Sequence, residues 1–215
     1  MFAAGHVAYG YLLGKGSGKL LKTEINIPLI LALSIAPDVD LVFRSIRHRG
    51  ATHSLIILTL ALIPFLIKYG KTTIPYMIAV AQHSLFGDYL TGGVALLWPM
   101  TQTYYGIRWS IYGPQNLILE WGAFLAAIIV MFVTRDILTL LKPSRTNLLL
   151  IIPAVASFVP LFLNEPQPLP ASLVIPEAVF LTIYASSILA QITHRTRFIT
   201  FIESRLNRRP TQRDS

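Results

Sequence analysis

The sequence contains no cysteine. Disulfide staples and thiolate metal sites are therefore excluded, and any bound metal has only nitrogen and oxygen ligands available. Charge is also scarce. Only 13% of the 215 residues are Asp, Glu, Lys or Arg, 53% are hydrophobic, and mean hydropathy is +0.59. A chain this apolar, with its apolar residues blocked into runs, does not fit an ordinary soluble domain. The N-terminus lacks a basic stretch ahead of its first apolar run, so no cleavable signal peptide is expected. No internal repeat is present. The one low-complexity stretch, Asn164-Glu165-Pro166-Gln167-Pro168-Leu169-Pro170, reads as a stiff external turn.

Apolar segments fall at 2–14, 26–43, 54–69, 73–90, 115–141, 147–163 and 172–193. A full bilayer crossing needs about 20 residues. The last three segments approach or exceed that length, whereas the first four fall short of it and several carry polar residues. The expected fold is an all-α polytopic membrane bundle with about six to seven membrane-embedded segments. Residues 1–194 form its one domain, and 195–215 a basic cytoplasmic tail. Segment 2–14 has two readings, a half-span or an interfacial helix. Pro28, Pro37, Pro64, Pro75, Pro153, Pro160 and Pro176 lie in or at the ends of segments, where neighbouring helices or cavity water can satisfy the freed carbonyls.

Net charge is +8, and six of the 18 basic residues (Arg195, Arg197, Arg205, Arg208, Arg209, Arg213) lie in the tail. The tail reads as an anchor beside anionic lipid, and no nucleic-acid partner is expected. With the tail in the cytoplasm, threading back through seven segments puts fourteen basic residues inside. Only Arg44, Arg47, Arg49 and Arg108 are left outside. The same threading carries His6, Asp38, Asp40, His48, His53, His83 and Asp88 to the extracytoplasmic face. Ionisable groups at membrane depth cost roughly 2.5–3.5 kcal/mol each at a helix centre, so they pair, bind something or line a path.

Imidazole and carboxylate without thiolate suit zinc, manganese or iron, or a paired-metal hydrolytic centre. Asp38 and Asp40 would point about 200° apart on a regular helix, so both reach one centre only if the backbone unwinds, as Pro37 just upstream favours. His48 and His53 bracket Arg49-Gly50-Ala51, a tight loop, and Thr52 or Ser54 can cap the helix that follows. Singly, each of these residues also reads as a capped helix end or a satisfied polar group of a bundle. Glu120 reads as a ligand, a general base or an orienting partner of a ligand histidine, or else as a helix-dipole partner. Arg49, Arg47, Arg44 and Arg108 grip an anion or snorkel to headgroups. Trp98, Trp109, Tyr104, Tyr105 and Tyr112 form an interfacial aromatic belt or line the mouth through which a lipid enters.

Several blocks together resemble a known family. They are Gly5-His6, Pro37-Asp38-Val39-Asp40, His48-Arg49-Gly50-Ala51-Thr52-His53-Ser54-Leu55, Asp88-Tyr89-Leu90-Thr91-Gly92-Gly93-Val94-Ala95-Leu96-Leu97-Trp98-Pro99 and Asn116-Leu117-Ile118-Leu119-Glu120. From residue 5 to about 120 the chain resembles the LexA-regulated, membrane-bound, metal-dependent hydrolases. More remotely it is similar to zinc-dependent phospholipase C and P1-type nucleases. The resemblance implies a helical membrane hydrolase that cleaves phosphoesters. In that pattern three residues separate the late histidine from its aspartate. Here four separate His83 from Asp88, which sets them about 140° apart on a regular helix instead of about 40°. Either a π-bulge near Gly87 restores the geometry, or Ser84 replaces His83 at the site.

The sequence thus predicts a metal-dependent hydrolase of a phosphoester or related ester, with a membrane lipid or lipid-linked phosphate as partner. Asp38, Asp40, His48, His53 and Asp88 hold one or more divalent ions, zinc first and manganese second. His6 and His83 complete the shell, Glu120 manages a proton, and Arg49 and Arg47 hold the anion. The rivals are a metal-ion transporter and a membrane scaffold with a structural metal.

Overall fold

Glycine sets how the first helix packs. Helix α1 (Ala3–Leu21) carries Gly10, Gly14 and Gly18 on one face, all buried. A Cβ on Gly10 would overlap the Ser34 hydroxyl, and one on Gly14 would stand 3.0 Å from Ile30 Cδ1. Without those side chains, α1 lies close against α2 (Ile27–Ser34). Asn26 starts α2 by accepting the Leu29 N–H at 3.0 Å. The structure, a computed structural model, describes residues 1–41, 47–163 and 167–206. Arg44 of the expected external group lies outside the described residues, as do Asn164, Glu165 and Pro166 of the turn and Arg208, Arg209 and Arg213 of the tail.

Next come α3 (Leu55–Tyr69), α4 (Ile74–Gln82), the short α5 (Tyr89–Thr91), α6 (Pro114–Val133), α7 (Asp136–Leu140), α8 (Ile151–Phe158) and α9 (Val174–Leu206). Among the described residues the fold is all-helical, apart from an isolated antiparallel bridge between Val94 and Tyr105. Helix α1 is central and touches α2, α4, α6, α8 and α9. The core around it is apolar, with Val7, Ala8, Tyr11, Leu31, Phe124 and Met131 among its members.

Two buried carboxylates hold the start of α1. The first N–H groups of a helix have no partner within it. Here the Phe2 N–H donates to Glu120 Oε1 at 2.9 Å, and the Ala4 N–H donates to Glu177 Oε1 at 2.7 Å. At the other end, Asp136 pairs with Lys15 and accepts the Tyr11 hydroxyl.

Four helical stretches are long and apolar enough to cross a membrane: Leu55–Thr91, Pro114–Val133, Arg145–Phe162 and Ala171–Arg195. Four is fewer than the six to seven segments expected. Helix α2 has only 8 residues, and α1 carries Lys15 and Lys19 and serves as the packed centre. Leu55–Thr91 is a hairpin. The chain breaks at Gly70 (φ 59°, ψ −139°), a conformation open to glycine. Thr73 then donates back to the Phe65 carbonyl at 2.9 Å. The hairpin's open end brings His53 to Asp88, and its closed end carries Lys68 and Lys71. Helix α3 buries no residue, and Phe65, Ile118, Phe132 and Ile175 are exposed, as expected of a surface that faces lipid. The bundle thus has a basic end, with Lys15, the hairpin turn and the 142–146 stretch, and a second end where the histidines and aspartates gather.

Candidate metal centre

Three local devices set the second end. Helix α2 stops at Ser34, and the chain unwinds into a 3-10 turn over Ala36–Leu41 that carries Asp38 and Asp40. A second 3-10 turn, Ala51–His53, presents His53, and the Ser54 hydroxyl caps α3 by accepting the Ile57 N–H. The third is a π-helical turn over His83–Asp88. Its i→i+5 pattern returns residue 88 to the side of residue 83. His83, not Ser84, therefore faces the cluster.

Four atoms from these devices converge. His53 Nε2 is 3.3 Å from Asp38 Oδ1 and 3.0 Å from Asp88 Oδ2, and His83 Nε2 is 3.2 Å and 3.5 Å from the same two oxygens. A tetrahedral ion with bonds of about 2.0–2.1 Å sets neighbouring ligand atoms about 3.3–3.4 Å apart. The four nitrogen–oxygen spacings fall within about 0.3 Å of that range.

Hydrogen bonds on the far side of each ring fix the tautomers. His83 Nδ1 donates to the Ser34 carbonyl at 2.8 Å. His53 Nδ1 lies 3.0 Å from the Thr52 hydroxyl, which itself donates to Asp40 Oδ2 at 2.9 Å. With the Nδ1 atoms so occupied, either ring when neutral turns an Nε2 lone pair toward two carboxylate oxygens. Such an arrangement repels itself unless a cation sits among the four. His83 Nε2 and Asp88 Oδ2 are buried and make no hydrogen bond, the condition of ligand atoms aimed at a common point. The donor set fits a divalent ion that accepts nitrogen and oxygen.

Of the two aspartates, only Asp38 takes part in this four-atom cluster. The imidazole of His53 lies between them, with Asp38 at Nε2 and Asp40 at Nδ1. Their opposed directions are both used because a ring spans the gap. Asp40 Oδ1 accepts from His48 Nδ1 at 3.0 Å, and Oδ2 accepts from the Arg49 N–H at 3.2 Å and from Thr52. Burial alone would raise the Asp40 carboxyl, but the hydrogen bonds from His48 and His53 overcome it and hold Asp40 well below the usual carboxylate range. Burial likewise disfavours a charged His53. The Asp38, Asp40 and Asp88 carboxylates around the ring outweigh it, and His53 is pushed up to about 11. Without a metal, then, a proton on His53 is the cation that the carboxylates hold. Asp38, Asp40, His48 and His53 form a second, overlapping group whose ligand atoms lie within 4.8 Å of one another. It is more open, because His48 is exposed.

The remaining expected residues fall at different distances from this centre. His6 is outside both groups and stacks on His83, with centroids 3.7 Å apart and planes 11° apart. That contact exists because residue 87 is glycine, where a Cβ would overlap the His6 ring. Arg49 (φ 62°) passes its guanidinium across Gly92 and pairs with Asp88 Oδ1 at 3.0 Å. Arg47 is exposed over the Tyr104 ring, 4.6 Å from its centroid, beside a separate pocket of about 240 Å³. Glu120 belongs to neither ligand group and caps α1, also accepting from Asn116 Nδ2 at 2.7 Å. This is a helix-dipole role, but toward a different helix from its own. Ser34, which orients His83, gave no sequence signal because its carbonyl acts, not its side chain. Glu177 was legible by the rule that singled out Glu120, as an acid inside an apolar run, yet it was missed.

The cluster opens onto a cavity of about 970 Å³, whose polar end is formed by Asp38, Asp88, His6, His48 and Arg49. Comparison with known proteins places the chain at this point. A family model, the YdjM inner membrane protein, matches residues 1–166. The chain belongs to the YdjM inner membrane protein family. The match takes in every block that carries the resemblance and runs past the end of α8. Membership in this family, with its four apolar spans, makes the chain a helical membrane protein. No curated protein matched, and no solved structure matched. The remote likeness to phospholipase C and P1-type nucleases is thus carried by none of these matches.

Proposed function

We propose that this YdjM-family chain is a membrane-bound, metal-dependent hydrolase of a phosphoester or related ester, working at the extracytoplasmic interface. The observation that carries the reading is the convergence of His53 Nε2, His83 Nε2, Asp38 Oδ1 and Asp88 Oδ2 at ligand spacing, two of them without any hydrogen bond. Zinc suits the set best and manganese second. A bound divalent ion would lower the pKa of a water to about 7 and polarise a phosphoryl oxygen. The chain's own part is positional. Asp40 and Thr52 orient His53, Ser34 orients His83, and Arg49 steadies Asp88 at the cavity wall, where its remaining N–H groups suit an anion.

Two features favour catalysis over the rivals. Asp38 and Asp88 both line the cavity, whereas a structural metal site is closed. The interior between the cluster and the basic end is largely apolar, which gives a transported ion little to step along. In this reading the basic end and the C-terminus are cytoplasmic. The experiment is elemental analysis of purified protein together with a panel of phosphomonoesters, phosphodiesters and carboxylic esters, comparing wild type with His53→Ala. Stoichiometric metal and turnover in wild type, both lost in the variant, are expected. Stoichiometric metal with no turnover on any ester class refutes the hydrolase.

A further inference from the structure

The cavity has a shape that the metal centre alone does not require. From its polar end it continues along α8, walled by Ile151, Ile152, Val155, Ala156 and Val159. Three of these are open to the outside, with Ile151 59%, Ile152 45% and Val155 51% exposed. Helix α8 belongs to the candidate span Arg145–Phe162 and starts at the basic end, so Val159 and Pro160 lie near the cluster and Ile151 lies deeper. Nine residues of helix measure about 13 Å. One leaflet of hydrocarbon is roughly 15 Å deep, half of a core about 30 Å thick. The groove therefore starts at the charged groups, runs down toward the bilayer centre for about one leaflet, and is open sideways to lipid.

We propose that this groove seats one acyl chain of a membrane phospholipid drawn from the same leaflet, with its phosphate held at the Arg49 and histidine–aspartate end. The inference rests on the hydrolase reading for the choice of a phosphate head. Three things on the molecule select this occupant. The apolar wall is continuous with a site that has a guanidinium at its edge, which suits an anion tethered to hydrocarbon. The groove's axis follows the direction in which a lipid already lies, so the chain enters without leaving the leaflet. The volume of about 970 Å³ is at the upper end of small-ligand pockets, about 300–1,000 Å³, and is more than a small soluble ester would fill.

The test uses the full-length, metal-loaded protein in vesicles of phosphatidylethanolamine with a minority of phosphatidylglycerol, part of which carries a diazirine midway along one acyl chain. After photolysis, labelled residues are mapped by mass spectrometry. Label is expected on the Ile151–Val159 face several-fold above the outward residues Ile118 and Ile129 of α6. It should fall several-fold in Val155→Trp and in Ala156→Trp, and stay unchanged in Ile129→Trp. Even labelling of α8 and α6, or labelling indifferent to both groove substitutions, overturns the proposal. Labelling needs no turnover, so the two readings fail separately. Groove-specific label without cleavage of any ester removes the reaction and leaves the seat. Cleavage of a water-soluble phosphoester with even labelling removes the seat and leaves the reaction.

Discussion

Asp40→Asn separates a positioning carboxylate from a ligand. The native oxygens receive His48 Nδ1 at 3.0 Å, the Arg49 N–H at 3.2 Å and the Thr52 hydroxyl at 2.9 Å, with His53 Nδ1 at 3.3 Å. Asparagine keeps one acceptor oxygen and turns an NH₂ toward either His48 or the Thr52–Arg49 pair. Whichever side meets the NH₂ loses its acceptor, and the chain of hydrogen bonds that aims His53 Nε2 loses its charged end. Removing an outer partner of a ligating histidine typically costs 10–100-fold in metal affinity, or about 1.4–2.7 kcal/mol. The expected result is one metal per chain with affinity lowered by about that factor. It is read by competition against a fluorescent chelator in detergent, with elemental analysis alongside and a melting curve to show that the variant folds. Asp88→Asn, which alters an oxygen of the cluster itself, should abolish stoichiometric binding. If Asp40→Asn loses the metal as completely as Asp88→Asn, Asp40 is itself a ligand and the positioning argument is wrong. An unchanged affinity removes Asp40 from the site altogether.

Two further outcomes follow from the same contacts. Gly87→Ala places a methyl group where the His6 ring lies, so the His6–His83 stack must open. Overpacking of this kind costs about 1–3 kcal/mol, read as a lower melting temperature together with weaker metal binding. A lower melting temperature without any change in metal affinity would detach the stack from the site. Metal removal by a chelator should raise amide hydrogen exchange in 36–41 and 47–54, which hold Asp38, Asp40, His48 and His53, while the α1–α6 core stays protected. Exchange that rises equally across both regions would mean that the ion holds the whole bundle together.

The helical class and the grouping of distant residues were legible in the sequence because both follow from hydrophobic runs and from the cost of charge in lipid. The block 48–54 and the pair at 38 and 40 announced themselves as ionisable residues between apolar segments. The odd spacing of His83 and Asp88 left either a π turn near Gly87 or Ser84 in place of His83, and the π turn is present at His83–Asp88. What was not legible depends on what a neighbour from elsewhere in the chain does. Hydropathy marks an apolar run but does not say whether it faces lipid or protein, so the half-span and interfacial readings of 2–14 both miss that α1 packs at the centre of the bundle. Glu120 had a ligand, a proton-handling and a helix-dipole reading, and nothing in the sequence hinted that the start of α1, 118 residues away, would take one of its oxygens while the other stays buried without a hydrogen bond. The division of labour between Asp38 and Asp40 came from a ring inserted between them, which no spacing within 37–40 encodes.

The π turn bears on function more directly than any single distance. A regular α-helix through 83–88 would bond more uniformly, and its only geometric loss would be the alignment of two side chains. Deleting one residue would restore regular spacing between the histidine and the aspartate, but this chain keeps the extra residue and absorbs it in a five-residue step. Within the turn, Gly87 leaves the space in which the His6 ring from the central helix lies. Local departures from regular structure persist where something other than stability requires them. Here the departure returns His83 and Asp88 to one side and sets Nε2 of one 3.5 Å from Oδ2 of the other, with no hydrogen bond formed by either atom. A bundle selected only to sit in a membrane gains nothing by burying two unsatisfied polar atoms face to face. A bundle that holds a cation there gains its ligands.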